Sequence, residues 1–186
     1  MALVPNKKPV KSLPESIPIS EETRAIIKER TGRDYYYSHE LPVALGLSGY
    51  TTLVDVSALG NVKILDLKNC IRITDVSALG NVQVLDLSGC IGITDVSALS
   101  GVQVLNLSYC AGIIDVSMLG NVQKLNLKGC RRITDVSALG NVKELNLSGC
   151  MGIMDVSALG NVKILYLSSR TRVDVSALGS VKILYC

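Results

Sequence analysis

Val62, Leu65 and Leu67 are apolar where Lys63, Asp66 and Lys68 are polar, and the same order returns at Val82, Leu85 and Leu87 and again at Val102, Leu105 and Leu107. Alternation with a period of two across Leu65-Asp66-Leu67 is what a half-buried strand requires, and the strand it predicts is short. The return distance is twenty residues, and the full unit reads V-x-x-L-x-L-x-x-C-x-x-I-T-D-V-S-A-L-G-N. A period this strict predicts a solenoid in which each copy is one turn of a coil. Further copies fall at Leu45-Gly46-Leu47, Leu105-Asn106-Leu107, Leu125-Asn126-Leu127, Leu145-Asn146-Leu147, Leu165-Tyr166-Leu167 and, incompletely, Ile183-Leu184-Tyr185. Because every connection runs the same way round, the strands pair in parallel. The return path is Asp-Val-Ser-Ala-Leu-Gly, long enough for one helical or 3₁₀ turn, with Asp accepting backbone N–H groups as an N-cap. Each turn buries some six aliphatic side chains at roughly 1.5 to 3 kcal/mol each, which offsets the ordering entropy only when neighbouring turns are present.

The motifs L-x-L-x-x-C and I-T-D-V-S-x-L resemble those of leucine-rich repeats, over residues 42 to 186. The cysteine position resembles cysteine-containing repeats, and I-T-D-V-S-A-L is similar to the short repeats of internalins. Arrays of similar texture occur in large DNA viruses. The resemblance implies an α/β solenoid, a right-handed coil with a parallel sheet on its concave face and short helical or 3₁₀ turns on its convex face. It also implies that the concave face holds another protein. In such repeats the cysteine lies under the loop and satisfies backbone groups, which gives Cys70, Cys90, Cys110, Cys130 and Cys150 a structural role. Tyr50 and Arg170 replace that cysteine near the two ends, and Cys186 stands outside the register.

Composition limits the alternatives. Without Phe or Trp the core must be built from Val, Leu, Ile and Ala, which suits a narrow repeated interior. The net charge of +3 is spread along the chain and gives no reason to expect nucleic acid. No window approaches the roughly 18 apolar residues of a membrane span, and no apolar segment follows the first lysines, so a cytoplasmic or intracellular protein is expected, with a virion component as the alternative. Residues 1–19 hold four of the five prolines and read as an extended arm. Residues 20–41 read as a capping unit: Ser20 starts a helix, Gly32 closes it, and Tyr35, Tyr36 and Tyr37 fill the junction to the array of seven to eight turns at 42–186. The array stops in mid-strand at Val181–Cys186, leaving an edge open to self-assembly.

Several columns of equivalent residues carry candidate chemistry. Asp75, Asp95, Asp115, Asp135 and Asp155, with Asp55 and Asp174 beyond them, read as caps and not as a calcium ladder, since each turn offers one carboxylate. The stacked cysteines point one way and do not converge on a metal. The outward strand position runs Gly46, Asp66, Asp86, Asn106, Asn126, Asn146, Tyr166, Tyr185, from acidic through amide to aromatic. Its amides are expected to bond side chain to side chain down the sheet. Tyr166 and Tyr185, with Tyr109 on a nearby loop, are the type enriched in protein interfaces. Asp66 and Asp86 complete a candidate partner-binding set with Lys124 and Lys128, the latter two part of a basic cluster with Arg131, Arg132 and Lys143. The glycosylation patterns at Asn106 and Asn146 lie in the sheet and are expected to be unmodified. His39 is the only histidine, and the carboxylates are spread by the repeat, so no cofactor or catalytic constellation is expected.

The leading expectation is a non-catalytic scaffold or recognition module for a protein partner. One alternative is a structural subunit of a larger assembly such as a virus particle. Another is a substrate-recruiting adaptor for ubiquitin ligation, since C-x-x-I-T-D resembles repeats of F-box proteins and Leu13-Pro14-Glu15 resembles an F-box opening.

Overall fold

The computed structural model describes residues 17–168, 173–179 and 181–185. The proposed F-box opening, Arg170, Cys186 and most of the arm lie outside them. Helix α1 spans Glu21–Thr31, and eight strands follow: β1 Ala44–Gly46, β2 Ile64–Asp66, β3 Val84–Asp86, β4 Val104–Asn106, β5 Lys124–Asn126, β6 Glu144–Asn146, β7 Ile164–Leu167 and β8 Lys182–Tyr185. They form one open parallel sheet in chain order. Register follows the repeat, so Leu65 pairs with Leu85 and Asp66 with Asp86. Inter-rung bonds are short and regular, as where the Leu67 amide donates to the Asp86 carbonyl at 2.8 Å.

The return path of each rung is a single 3₁₀ turn, such as Ser77–Asn81 or Ser137–Asn141. Its leucine is the reason it turns inward: Leu79, Leu99, Leu119 and Leu139 are fully buried. Together with the strand leucines, Val82, Ile93 and their equivalents, they make one core that runs from Ile26 and Ile27 to Val181. A rung contacts its neighbours and little else, so packing is shared along the coil.

Helix α1 begins where the Thr23 amide donates to Ser20 Oγ at 3.4 Å and ends at Gly32, in the left-handed region at φ 71°. It is fixed to the first rung by the Thr23 hydroxyl, which donates to the Asp55 carbonyl at 2.8 Å, and by Arg30 Nε, which donates to the Gly46 carbonyl at 3.1 Å. The tyrosine run divides. Tyr35 packs against the core, whereas Tyr36 and Tyr37 are exposed instead of filling the junction. Their backbone N–H groups are held outward by the Glu40 carboxylate at 2.8 and 3.1 Å, and the Arg24 guanidinium covers the Tyr36 ring at 3.8 Å.

Candidate functional site: the concave sheet

Two outward columns cross the sheet. The first runs Ala44, Ile64, Val84, Val104, Lys124, Glu144, Ile164, and the second Gly46, Asp66, Asp86, Asn106, Asn126, Asn146, Tyr166, Leu184. Leu184, not Tyr185, completes the second column, because Leu184 pairs with Tyr166 and Tyr185 pairs with the inward Leu167. Tyr185 is nevertheless 57% exposed, since β8 is the edge of the sheet among the described residues.

Across β4 to β7 the sheet bears a hollow of about 310 Å³, whose outward lining is Val104, Asn106, Lys124, Asn126, Glu144, Asn146 and Tyr166. Lys124 Nζ and Glu144 Oε1 form an ion pair at 2.9 Å in its floor, so that two charges in adjacent rungs neutralise each other. Tyr166 forms one wall. The amide ladder expected along the second column does not form as such. Asn106, Asn126 and Asn146 each use Oδ1 locally, accepting the N–H two residues ahead from Ser108 at 3.1 Å, Lys128 at 3.0 Å and Ser148 at 2.9 Å. A turn closed within one rung needs no neighbour and wins over a bond between rungs. The one inter-rung side-chain bond in this column runs from Asn106 Nδ2 to Asp86 Oδ2 at 3.0 Å.

Of the partner-binding set, Tyr166 and Lys124 meet in the hollow. Asp86 and Asp66 continue the same column one and two rungs away from Asn106. Lys128 and Tyr109 lie past the strand ends and do not line the hollow; Tyr109 is 56% exposed at a left-handed φ of 62°. The members of the basic cluster have different neighbours. Lys124 faces the hollow, Lys143 Nζ donates to Gln123 Oε1 at 3.1 Å, and Arg131 and Arg132 sit on the turn after Cys130. The apolar members of the first column were missed in the sequence. Ile64, 49% exposed, and Val84 stand outward on the strands, and their signal was an apolar residue directly before each inward leucine.

The other two columns face inward and outward. Each of Cys70, Cys90, Cys110, Cys130 and Cys150 is buried and donates its thiol to a carbonyl of the preceding rung, Leu47, Leu67, Leu87, Leu107 and Leu127 in turn, at 3.0 to 3.2 Å. Burial pushes these thiols up, to about 11 at Cys70 and Cys130 and about 12 at Cys90, Cys110 and Cys150. They are protonated and inert at neutral pH. Asp55, Asp75, Asp95, Asp115, Asp135, Asp155 and Asp174 each accept the N–H of the serine two ahead at 2.8 to 2.9 Å. That backbone bond holds each carboxyl below its ordinary range. The N-cap position proper belongs to the following valine, so the aspartate closes the turn from one residue earlier. Among the described residues no three His, Cys, Asp or Glu side chains converge on a metal position, and no helix is long and apolar enough to cross a membrane.

No protein-family model matches the chain, and no curated protein matches it in sequence. Solved structures do. An internalin, InlF of Listeria monocytogenes, superposes with a TM-score of 0.57 at 23% identity over 87% of this chain and 52% of its own. The chain thus spans about half the length of that protein. Internalin C2 of the same organism covers 95% of this chain and 100% of its own at 19% identity and a TM-score of 0.44. The functional domain of InlJ, described as including a cysteine ladder, covers 86% and 53% at 16% identity and a TM-score of 0.32. The last two superpose too loosely to bear on the reading. The eight-stranded parallel sheet, its 3₁₀ turns and the likeness to InlF make the fold a leucine-rich-repeat solenoid.

Proposed function

We propose that this chain is a non-catalytic recognition module that holds an extended segment of another protein against the concave sheet, over β4 to β7. The observation that carries this reading is the hollow itself. Its walls combine an apolar edge at Val104, an aromatic one at Tyr166 and amides at Asn126 and Asn146 whose Oδ1 atoms are already committed, so Nδ2 is free to donate to a partner's backbone carbonyls. The Lys124–Glu144 pair supplies polarity without net charge. Such a floor favours a neutral segment over a strongly charged one. The adjoining apolar column at Val84 and Ile64 extends the surface toward β2. A soluble module of this kind acts intracellularly in this reading.

A photoreactive residue at Asn126 should crosslink a partner that is not captured from Ser137 on the opposite face, and Tyr166→Ala should weaken that capture at least tenfold. Equal capture from both positions, or capture indifferent to Tyr166, overturns the assignment. The edge strand among the described residues, β8, supports a second mode, strand addition by a second copy. Light scattering checks it: a monomer at all concentrations, unchanged by Leu184→Lys, removes it.

A further inference from the structure

In an array of nearly identical rungs the fourth breaks the pattern at its outer surface. The fourth rung has Ile114 before its aspartate, an apolar choice it shares with Val54, Met154 and Val173 and not with its neighbours Thr94 and Thr134. Where six rungs place Ala58, Ala78, Ala98, Ala138, Ala158 and Ala177, it has Met118. Both replacements are exposed, Ile114 at 49% and Met118 at 55%, so neither is required by the core. The rung already closes with the same hydrogen bond from Ser117 to Asp115, at 2.8 Å, that the others use. Large apolar side chains that add nothing to rung packing and stand in water mark a contact surface.

Shape and charge say what it contacts. Met118 lines a hollow toward the third rung with Asp95, Ser97, Asp115 and Ser117, and Ile114 lines one toward the fifth with Asp115, Ser117, Asp135 and Ser137. Asp115 and Ser117 belong to both, so the fourth rung is a ridge between two hollows of about 380 and 400 Å³. The equivalent space between the second and third rungs, lined by Thr74 and Ala98 where no such replacement occurs, is about 70 Å³. Each enlarged hollow presents two aspartates of adjacent rungs and no lysine or arginine in its lining. Among the described residues none of these carboxylates is in an ion pair, and Asp115 lies in the repulsive field of both Asp95 and Asp135. A cation entering either hollow relieves that repulsion.

We propose that the ridge of Ile114 and Met118 is a second docking site, on the outer face, for a protein segment that carries apolar side chains flanked by lysine or arginine. The apolar groups lie on Ile114 and Met118, and one basic side chain enters the hollow on either side of them, between Asp95 and Asp115 and between Asp115 and Asp135. The site is separate from the concave hollow and does not depend on it.

The full chain labelled with ¹³C at the methionine methyls tests this directly, because Met151 and Met154 serve as internal controls. Titration with the synthetic peptide Lys-Leu-Leu-Lys-Leu-Leu-Lys should shift the Met118 signal saturably, and the matching Glu-Leu-Leu-Glu-Leu-Leu-Glu peptide should not. Reverting the rung to its neighbours' sequence, Ile114→Thr with Met118→Ala, keeps side chains that the same backbone already accepts; followed by peptide fluorescence, it should weaken the lysine peptide about tenfold. Tyr166→Ala should leave that affinity unchanged while weakening concave capture. The proposal is overturned if Met118 does not respond, if it responds equally to both peptides, or if the reverted chain binds as well as the parent. A Met118 shift caused by calcium alone overturns it too, by assigning the hollows to a metal ion, and one that grows with protein concentration without peptide assigns the ridge to a second copy.

Discussion

The inside of the coil repeats with almost no change, and its outward columns do not. Leu85, Leu105, Leu125 and Leu145 fill one inner column, while Val84, Val104, Lys124 and Glu144, one residue earlier on the same strands, pass from apolar to basic to acidic. Both columns share a backbone and a register. Whatever the rung requires to close is therefore required of every rung alike, and the outward differences answer to something other than folding. Sameness marks packing, and departure from sameness marks candidate recognition surfaces at the concave hollow and the outer ridge.

The contrast should be largest in stability. Leu105→Ala removes a side chain buried between two rungs and should cost about 2 to 5 kcal/mol in urea unfolding, whereas Lys124→Ala should cost no more than about 0.5 kcal/mol. Comparable losses would abolish the distinction between the columns.

A smaller effect sharpens it at two glycines. Gly129 and Gly149 both hold left-handed backbone, at φ 75° and 77°, so alanine at either should cost about 1 to 2 kcal/mol. At Gly129 the new Cβ would also lie 2.7 Å from Tyr109 Cδ1, whereas at Gly149 nothing is nearer than 3.6 Å. Gly129→Ala should therefore be the worse of the two, and Tyr109→Gly should erase the excess. An excess that survives would mean the Tyr109 ring is not what crowds this loop.

The smallest effect is in acid. The seven aspartates have folded values held below the ordinary 3.8 by serine N–H groups, so their contribution is complete above 3.8 and is lost as pH falls through the folded values. Asp95→Asn, which keeps the accepting oxygen but not the charge, should lower the neutral Tm by one group's share and leave the Tm in acid nearly unchanged, so that the fall of Tm with acid flattens. An unaltered acid slope would show that the bond from Ser97 does not favour the ionised form.

The fold was legible because a twenty-residue beat fixes strands, direction and register together. Leu65-Asp66-Leu67 located β2, and Asp75 and Leu79 located its return. What escaped depended on contacts the beat does not encode. The outermost rung is one residue short, with Asp155 to Asp174 spanning nineteen, and there Leu184 holds the column assigned to Tyr185. Asn126 and Asn146 look able to reach each other but bond within their own turns, because the nearer N–H is already in place. The hollow was half visible: Tyr166 and Lys124 were in the candidate set, but Val104 was not. The Ile114–Met118 ridge required neighbouring rungs for comparison as well as knowledge of which side faces water.

Stacking in which each rung leans only on the next also sets how the chain yields to force. Drawn from its two ends, such a coil should not burst at one threshold but peel a loop at a time, each release of twenty residues lengthening the tether by up to roughly 70 Å. A molecule built this way can give up its outermost loops and keep the rest wound.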